Sequence, residues 1–203
     1  AYFSEHALIR YRVWVEIQYL LALQGSPIGS FGLSEEQTNS IKKIGEEFSI
    51  EDSNRIKELE SVTNHDVKSV EYFIKEKLEG LRLHSIKEWV HFGLTSQDIN
   101  NTSFPLMIKD GYEQILRPMI IETIEQIKTT ADSLKHIPML ARTHGQPASP
   151  TVMGKEIMVF VERLNNQMRL LDQVPWQGKF GGAVGNMNAH YIAYPEHEWH
   201  DWA

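Results

Sequence analysis

The sequence predicts an all-α fold, with short helices first and two long ones behind. Three observations predict it. Apolar residues recur at steps of three and four through much of the 203 residues. No stretch shows the period-two alternation of a half-buried strand. The breaks between periodic segments are short and chemically distinctive, marked by glycine, proline and small polar residues.

Composition supports a packed domain. Apolar residues make up 41% of the chain, so a core is expected and disorder is not. The net charge of −7 argues against non-specific nucleic-acid binding, which needs a basic surface. It leaves an anionic substrate open, because charges beyond a Debye length are screened. There is no cysteine, which excludes disulfides, thiol catalysis and thiolate metal sites and fits a reducing compartment such as the cytoplasm. No apolar run reaches the ~18 residues of a membrane span, and no secretory pattern opens the chain. Ala1 stands where a Met would be and Ala203 follows no capping signal, so a fragment is expected.

The elements follow in order. Leu8, Tyr11, Val15 and Leu20, backed by Trp14, Ile17 and Leu21, predict a helix from Glu5 to about Leu23, broken at Gly25-Ser26-Pro27-Ile28-Gly29. Short helices are expected over Glu35–Phe48 and Glu51–Glu60. Val67, Val70, Phe73, Ile74 and Leu78 make one face of a helix ending near Gly80. Another short helix is expected over Ser85–His91. A long helix from Gln97 to Lys135 carries a wide apolar stripe; from Phe104 onward it would span roughly 50 Å at 1.5 Å per residue. Pro118 lies inside it and should kink it. The second long helix is expected to start with Ser149 as cap and Pro150 in first position, with Met153, Ile157, Phe160, Leu164, Met168 and Leu171 as its seam. Met158, Val159 and Leu170 lie off that seam. Helices apolar on more than one side need more walls than two helices provide, so missing sequence and other subunits should supply them.

Four stretches combine polar chemistry with tight turns. Asn64, His65 and Asp66 precede an apolar helix; they suit capping, and His65 beside Asp66 also suits binding in one fixed tautomer. Thr95 and Ser96 stand at the start of the first long helix, one turn after His91. Ser96 serves as a cap, and the same free N–H and hydroxyl groups suit a phosphate or carboxylate. Arg142, Thr143 and His144 sit in a Pro- and Gly-rich connection before the second long helix; a histidine there can give and take a proton near neutral pH or be an idle loop residue. Residues 178–190 (GKFGGAVGNMNAH) have the glycines of a phosphate loop but neither its Lys-Ser/Thr ending nor a strand before it. They read instead as tight turns, with Asn186 and Asn188 able to tolerate left-handed conformations. His197 and His200 lack a third ligand, so no metal site is expected.

Together, TNHDVKSVEYF (63–73), EWVHFGLTSQDIN (88–100), RTHGQPASP with GKE (142–156) and GKFGGAVGNMNAH with YPE (178–196) resemble the adenylosuccinate lyase family of the fumarase/aspartase superfamily. Any one is weak; four in order are specific. The resemblance covers the chain from about Phe3 onward. It implies a small N-terminal helical domain (1–84) followed by part of a central helical bundle (85–203) that four subunits complete. It implies elimination of fumarate from adenylosuccinate and from succinylaminoimidazole-carboxamide ribotide, with no cofactor and no nucleic-acid or membrane partner. His144 matches the general acid that protonates the departing nitrogen. Asn64, His65, Asp66, His91, Thr95 and Ser96 match substrate-binding positions, with Gln146 and Lys155 as neighbours. The family's base, a serine in a Gly-Ser-Ser-x-Met-Pro loop, has no counterpart among the 203 residues, nor does the family's N-terminal Arg-Tyr pair beyond the dipeptide Arg10-Tyr11. The chain alone is therefore expected to be inactive. Another fumarate-releasing lyase, such as one acting on argininosuccinate, and a non-catalytic helical interaction module are the alternatives.

Overall fold

A computed structural model describes residues 1–26 and 31–202. Pro27, Ile28 and Gly29 of the expected break, and Ala203, lie outside the described residues. The chain forms two compact units: residues 1–109 with 177–203, and residues 110–176.

The first unit opens with helix α1 (Glu5–Leu23), capped by the Ser4 side chain accepting from the Ala7 N–H. Helices α2 (Glu35–Glu46) and α3 (Ile50–Thr63) each start with a reciprocal capping box, Ser34 with Gln37 and Ser49 with Asp52. Helix α4 (Asp66–Gly80) ends where the apolar series predicts. The expected helix over Ser85–His91 is a shorter 3₁₀ segment, His84–Trp89. Helix α5 (Ser96–Gly111) starts one residue earlier than expected. Ile9, Val13, Ile17 and Leu20 from α1 pack with Ile41, Phe73, Ile74 and Leu78 into the main core. Residues 177–202 return to this unit through α8 (Asn188–Ala193) and α9 (Trp199–Trp202), where Met187 and Trp199 close a second core with Tyr19 and Leu23.

The first long helix is interrupted. Tyr112–Leu116 form a π turn, and helix α6 (Arg117–Ser133) follows with Pro118 in its first turn. The Arg117 N–H reaches back five residues to the Tyr112 carbonyl. The expected kink at Pro118 is thus a widened turn just before it, placing the proline where its missing N–H does least harm.

The largest departure lies between the long helices. No strand is expected there, yet β1 (Pro138–Thr143) and β2 (Gln146–Val152) pair antiparallel, with Pro138 opposite Val152 and Thr143 opposite Gln146. Ser149 and Pro150 therefore lie in β2, and helix α7 begins at Met153 and runs to Asp172. Its first N–H groups need no side-chain cap: Met153 donates to the Ile137 carbonyl and Gly154 to the Leu134 carbonyl, satisfying orphans of both helix ends at once. Gly154 is required there, because a Cβ would lie 2.2 Å from the Ala131 carbonyl oxygen. Ile124, Val161 and Met168 form the core between α6 and α7. Phe160 (56% exposed) and Leu170 (60%) remain outside it.

Candidate active site

In the first unit the site residues gather where α1, α4 and α5 meet. Asn64 ends α3 in the left-handed conformation, φ 52°, which asparagine tolerates better than most residues. That turn delivers His65 to the cap of α4, where its Nδ1 accepts the Lys68 N–H at 3.1 Å. An accepting Nδ1 leaves the proton on Nε2, which faces Ser96 Oγ at 3.4 Å. His65 is indeed held in one tautomer, but by the α4 backbone and not by Asp66. Asp66 Oδ1 stands 3.7 Å from His65 Nδ1, and the closer contacts of this carboxylate lie elsewhere. Its Oδ2 lies 2.6 Å from Arg12 Nη2 and its Oδ1 accepts the Val67 N–H. Burial alone would raise the Asp66 pKa; the Val67 N–H and the Arg12 charge outweigh it and hold the carboxylate below its usual range.

Arg12 is itself buried, and its Nε donates to Asn100 Oδ1 at 2.8 Å. One guanidinium thereby ties α1 to the starts of α4 and α5. The His65–Ser96 contact brings those two helix starts together, so two positive dipole ends converge beside imidazole and hydroxyl donors.

Thr95, not Ser96, occupies the cap position of α5. Its N–H and hydroxyl both donate to Asp98 Oδ2, at 2.7 and 3.0 Å. Asp98 is fully buried and also accepts from Lys179 Nζ at 2.7 Å and from the N–H groups of Gly181 and Gly182. These donors outweigh burial and keep its pKa low. The glycine-rich loop therefore does cradle an anion, but the anion is the protein's own carboxylate. Gly182 and Gly185 take positive φ, and the left-handed residue beyond them is Met187, between the two asparagines that tolerate that conformation.

His91 has φ 63° and lies 2.5 Å from Glu16 through Nδ1. Burial would lower its pKa, but the bond to Glu16 and that group's charge raise it. Nearby, the Tyr19 hydroxyl donates to the Phe92 carbonyl and accepts from His190 Nε2 at 2.8 Å. His190 Nδ1 is buried without a partner, and burial lowers this ring's pKa. Gly93 has φ 68°, and a Cβ there would meet the His190 ring at 2.5 Å, so only glycine fits.

In the second unit, His144 (φ 49°) and Gly145 (φ 76°) are the two central residues of the β1–β2 turn. Positive φ at both is the type I′ pattern that matches strand twist. His144 and Gln146 are exposed at this tip, and Lys155 is exposed in the first turn of α7.

A family model described as Lyase matches residues 6–202. The chain belongs to this lyase family. It is 50% identical over 206 residues to the adenylosuccinate lyase of Dictyostelium discoideum, an alignment covering 98% of the chain and 44% of that protein. It is 44% identical to the adenylosuccinate lyase of Escherichia coli K12, over 99% of the chain and 45% of that protein. The chain thus spans a little under half the length of these curated relatives. Among solved structures it resembles the fumarate lyase of Mesorhizobium sp. BNC1, with TM-score 0.73 and 23% identity over 92% of the chain and 42% of that structure, a likeness of fold.

Several residues of the first unit escaped the sequence reading: Arg12, Glu16, Asn100, Lys179 and His190. Arg12 and Glu16 did leave a signal, two charges four residues apart and flanked by the apolar residues Tyr11, Val13, Val15 and Ile17. Charges so placed on a helix buried nearly all round must be partnered.

Proposed function

We propose that this chain is part of an adenylosuccinate lyase, which eliminates fumarate from adenylosuccinate to leave AMP and acts likewise on succinylaminoimidazole-carboxamide ribotide. The observation that carries this reading is the match of nearly the whole chain, at 44–50% identity, to relatives of that name. In the proposed reaction a base takes the proton from the carbon beside a carboxylate of the succinyl group. Charge grows on that carboxylate and is stabilised by oriented donors, for which Thr95 and Ser96 are proposed. The C–N bond breaks, its electrons stay on nitrogen, and His144 supplies the proton. Asn64, His65, Asp66 and His91 are proposed to hold the substrate, with Gln146 and Lys155 beside His144. The exposure of His144 at a rigid turn supports this role, since the general acid must reach a bound substrate.

The base is proposed to come from sequence outside these 203 residues. Phe160, Leu170, Ile115 and Met119, exposed on the second unit, support assembly with further helices, proposed as a homotetramer. No described helix is long and apolar enough to cross a membrane, and with the lack of cysteine this supports a cytoplasmic enzyme.

The test is His144→Ala in the full-length protein. Loss of about 10²–10⁴-fold in kcat for fumarate release is expected, with little change in folding. Unchanged turnover would sink the assignment and favour a non-catalytic role. A panel of succinylated substrates separates this activity from release of fumarate from argininosuccinate. The 203-residue chain by itself is expected to release no fumarate above background.

A further inference from the structure

Glu16 lies in the middle of α1, between Val15 and Ile17, with its side chain 0% exposed. Burying a carboxyl group is costly unless something is gained. Its Oε1 meets His91 Nδ1 at 2.5 Å, and its Oε2 is buried with no hydrogen-bond partner among the described residues. The other end of this contact is also unusual. His91 holds a left-handed backbone conformation, uncommon for a residue other than glycine, and its imidazole lies against the carboxylate. Packing alone accounts for neither feature.

Burial raises the Glu16 pKa and the contact with His91 pulls it back; with the carboxylate ionised it has only acceptors to offer, and His91 Nδ1 then carries the hydrogen. Nε2 is then the nitrogen that titrates, and it has no hydrogen-bond partner among the described residues. The ring is 17% exposed, which leaves it within reach of a ligand. The charged groups acting on the ring are Glu16 from α1 and Glu71 and Lys68 from α4. Glu71 is already matched by Lys68 at 2.7 Å and Lys75 at 3.0 Å. Glu16 is the anion whose contact is the imidazole itself.

We propose that Glu16 is a positioning residue: it fixes His91 with hydrogen on Nδ1 and favours the imidazolium, so that Nε2–H donates to an oxyanion of the substrate. This rests on the reading of His91 as a substrate-contacting residue. The oxyanion is a carboxylate or a phosphate oxygen, since both accept such a donor.

The test is NMR of the full-length enzyme carrying ring-¹⁵N histidine, with His91 assigned through His91→Asn. In the unaltered enzyme Nδ1 stays protonated and Nε2 titrates. That measurement needs no variant at Glu16, and an unprotonated Nδ1 overturns the proposal. Glu16→Gln should lower the His91 midpoint by about one pH unit or more. The alkaline fall of kcat/KM should move down with it, KM rising more than kcat drops, and Glu16→Asp should restore part of the shift. An unmoved midpoint in folded Glu16→Gln overturns the proposal. Fumarate alone and inorganic phosphate alone are then added to separate samples; the anion that raises the midpoint identifies the oxyanion, and a midpoint raised by neither overturns the donor role. If His91→Asn keeps normal turnover while the unaltered enzyme shows Nδ1 protonated against Glu16, the functional reading of His91 fails, and the spectrum of the unaltered enzyme still shows that Glu16 holds the ring.

Discussion

The two units solve the problem of burial differently. In the first, Phe73, Ile74, Ile17 and Leu20 are nearly or fully enclosed, and buried charges such as Arg12 and Asp98 have partners from distant sequence. In the second, Ile124, Val161 and Met168 are the buried core of α6 and α7, while large apolar side chains on the same helices stay exposed. A two-helix hairpin cannot enclose helices that are apolar on several sides. The first unit encloses a large core of its own, while the second leaves a greater share of its apolar side chains open.

The sharpest way to break that contrast is a pair of truncations. Phe73→Ala should destabilise the first unit by about 3–5 kcal/mol. Phe160→Ala removes a ring of the same size, yet should cost the isolated chain under about 1 kcal/mol. Denaturant melts of the two variants read the difference, and equal costs would mean that Phe160 is covered within the chain. In the full-length protein, sedimentation should instead show Phe160→Ala weakening assembly.

A smaller effect tests how tightly the hairpin is built. Gly154→Ala would drive a methyl group into the Ala131 carbonyl and the Lys135 backbone, so α7 must shift from α6 at a cost of about 1–3 kcal/mol. Hydrogen exchange should show lost protection at Met153 and Gly154 first.

The smallest effect is the dependence on pH. His190 is buried with a lowered pKa, so between that value and about 6.5 the unfolded chain binds more protons than the folded one. Its contribution is complete above pH ~6.5 and fades as pH falls through the folded value. Asp66 and Asp98, also lowered, contribute above about pH 4 and fade at lower pH. His91 acts in the opposite sense, losing its contribution as pH rises through its elevated value. Glu16, raised by burial against the pull of His91, works against the acid loss. In the second unit both histidines, His136 and His144, are exposed. Hydrogen exchange, corrected for its intrinsic pH dependence, should therefore show amides around His190 and Tyr191 opening on mild acidification before those of the β1–β2 hairpin. The reverse order would contradict this.

Much of the helical framework was legible because apolar spacing is a strong signal in long segments. Helix α4 is the clearest case, its face of Val67, Val70, Phe73, Ile74 and Leu78 all buried. The hairpin was not legible, for two reasons. Pro138, Pro147 and Pro150 argue against a strand, yet a two-stranded ribbon is all edge and tolerates them. Its turn is His144-Gly145 where Asn-Gly is the usual mark. The glycine loop was read correctly as turns, but its real occupant, Asp98, lies some eighty residues earlier in sequence. Local pattern cannot report such a pairing. The burial of Glu16 leaves its trace in a helix whose apolar residues point in nearly every direction, but its partner His91 lies seventy-five residues on and local pattern does not report it.

That embrace of Asp98 by Lys179, Gly181 and Gly182 has a bearing on how the chain is made. The first unit is discontinuous, with residues 110–176 interposed between its parts. During synthesis, the first 109 residues emerge with the Asp98 carboxylate lacking Lys179, Gly181 and Gly182, and with Tyr19 and Leu23 lacking Met187 and Trp199. Nothing earlier in the chain supplies those partners, so the main core of residues 9–90 can pack first while these contacts wait until residues 178–199 have left the ribosome. Long-range closure of this kind is slow and leaves apolar surface open in the interval. The last segment is thus the clasp that sets when the first becomes a finished body.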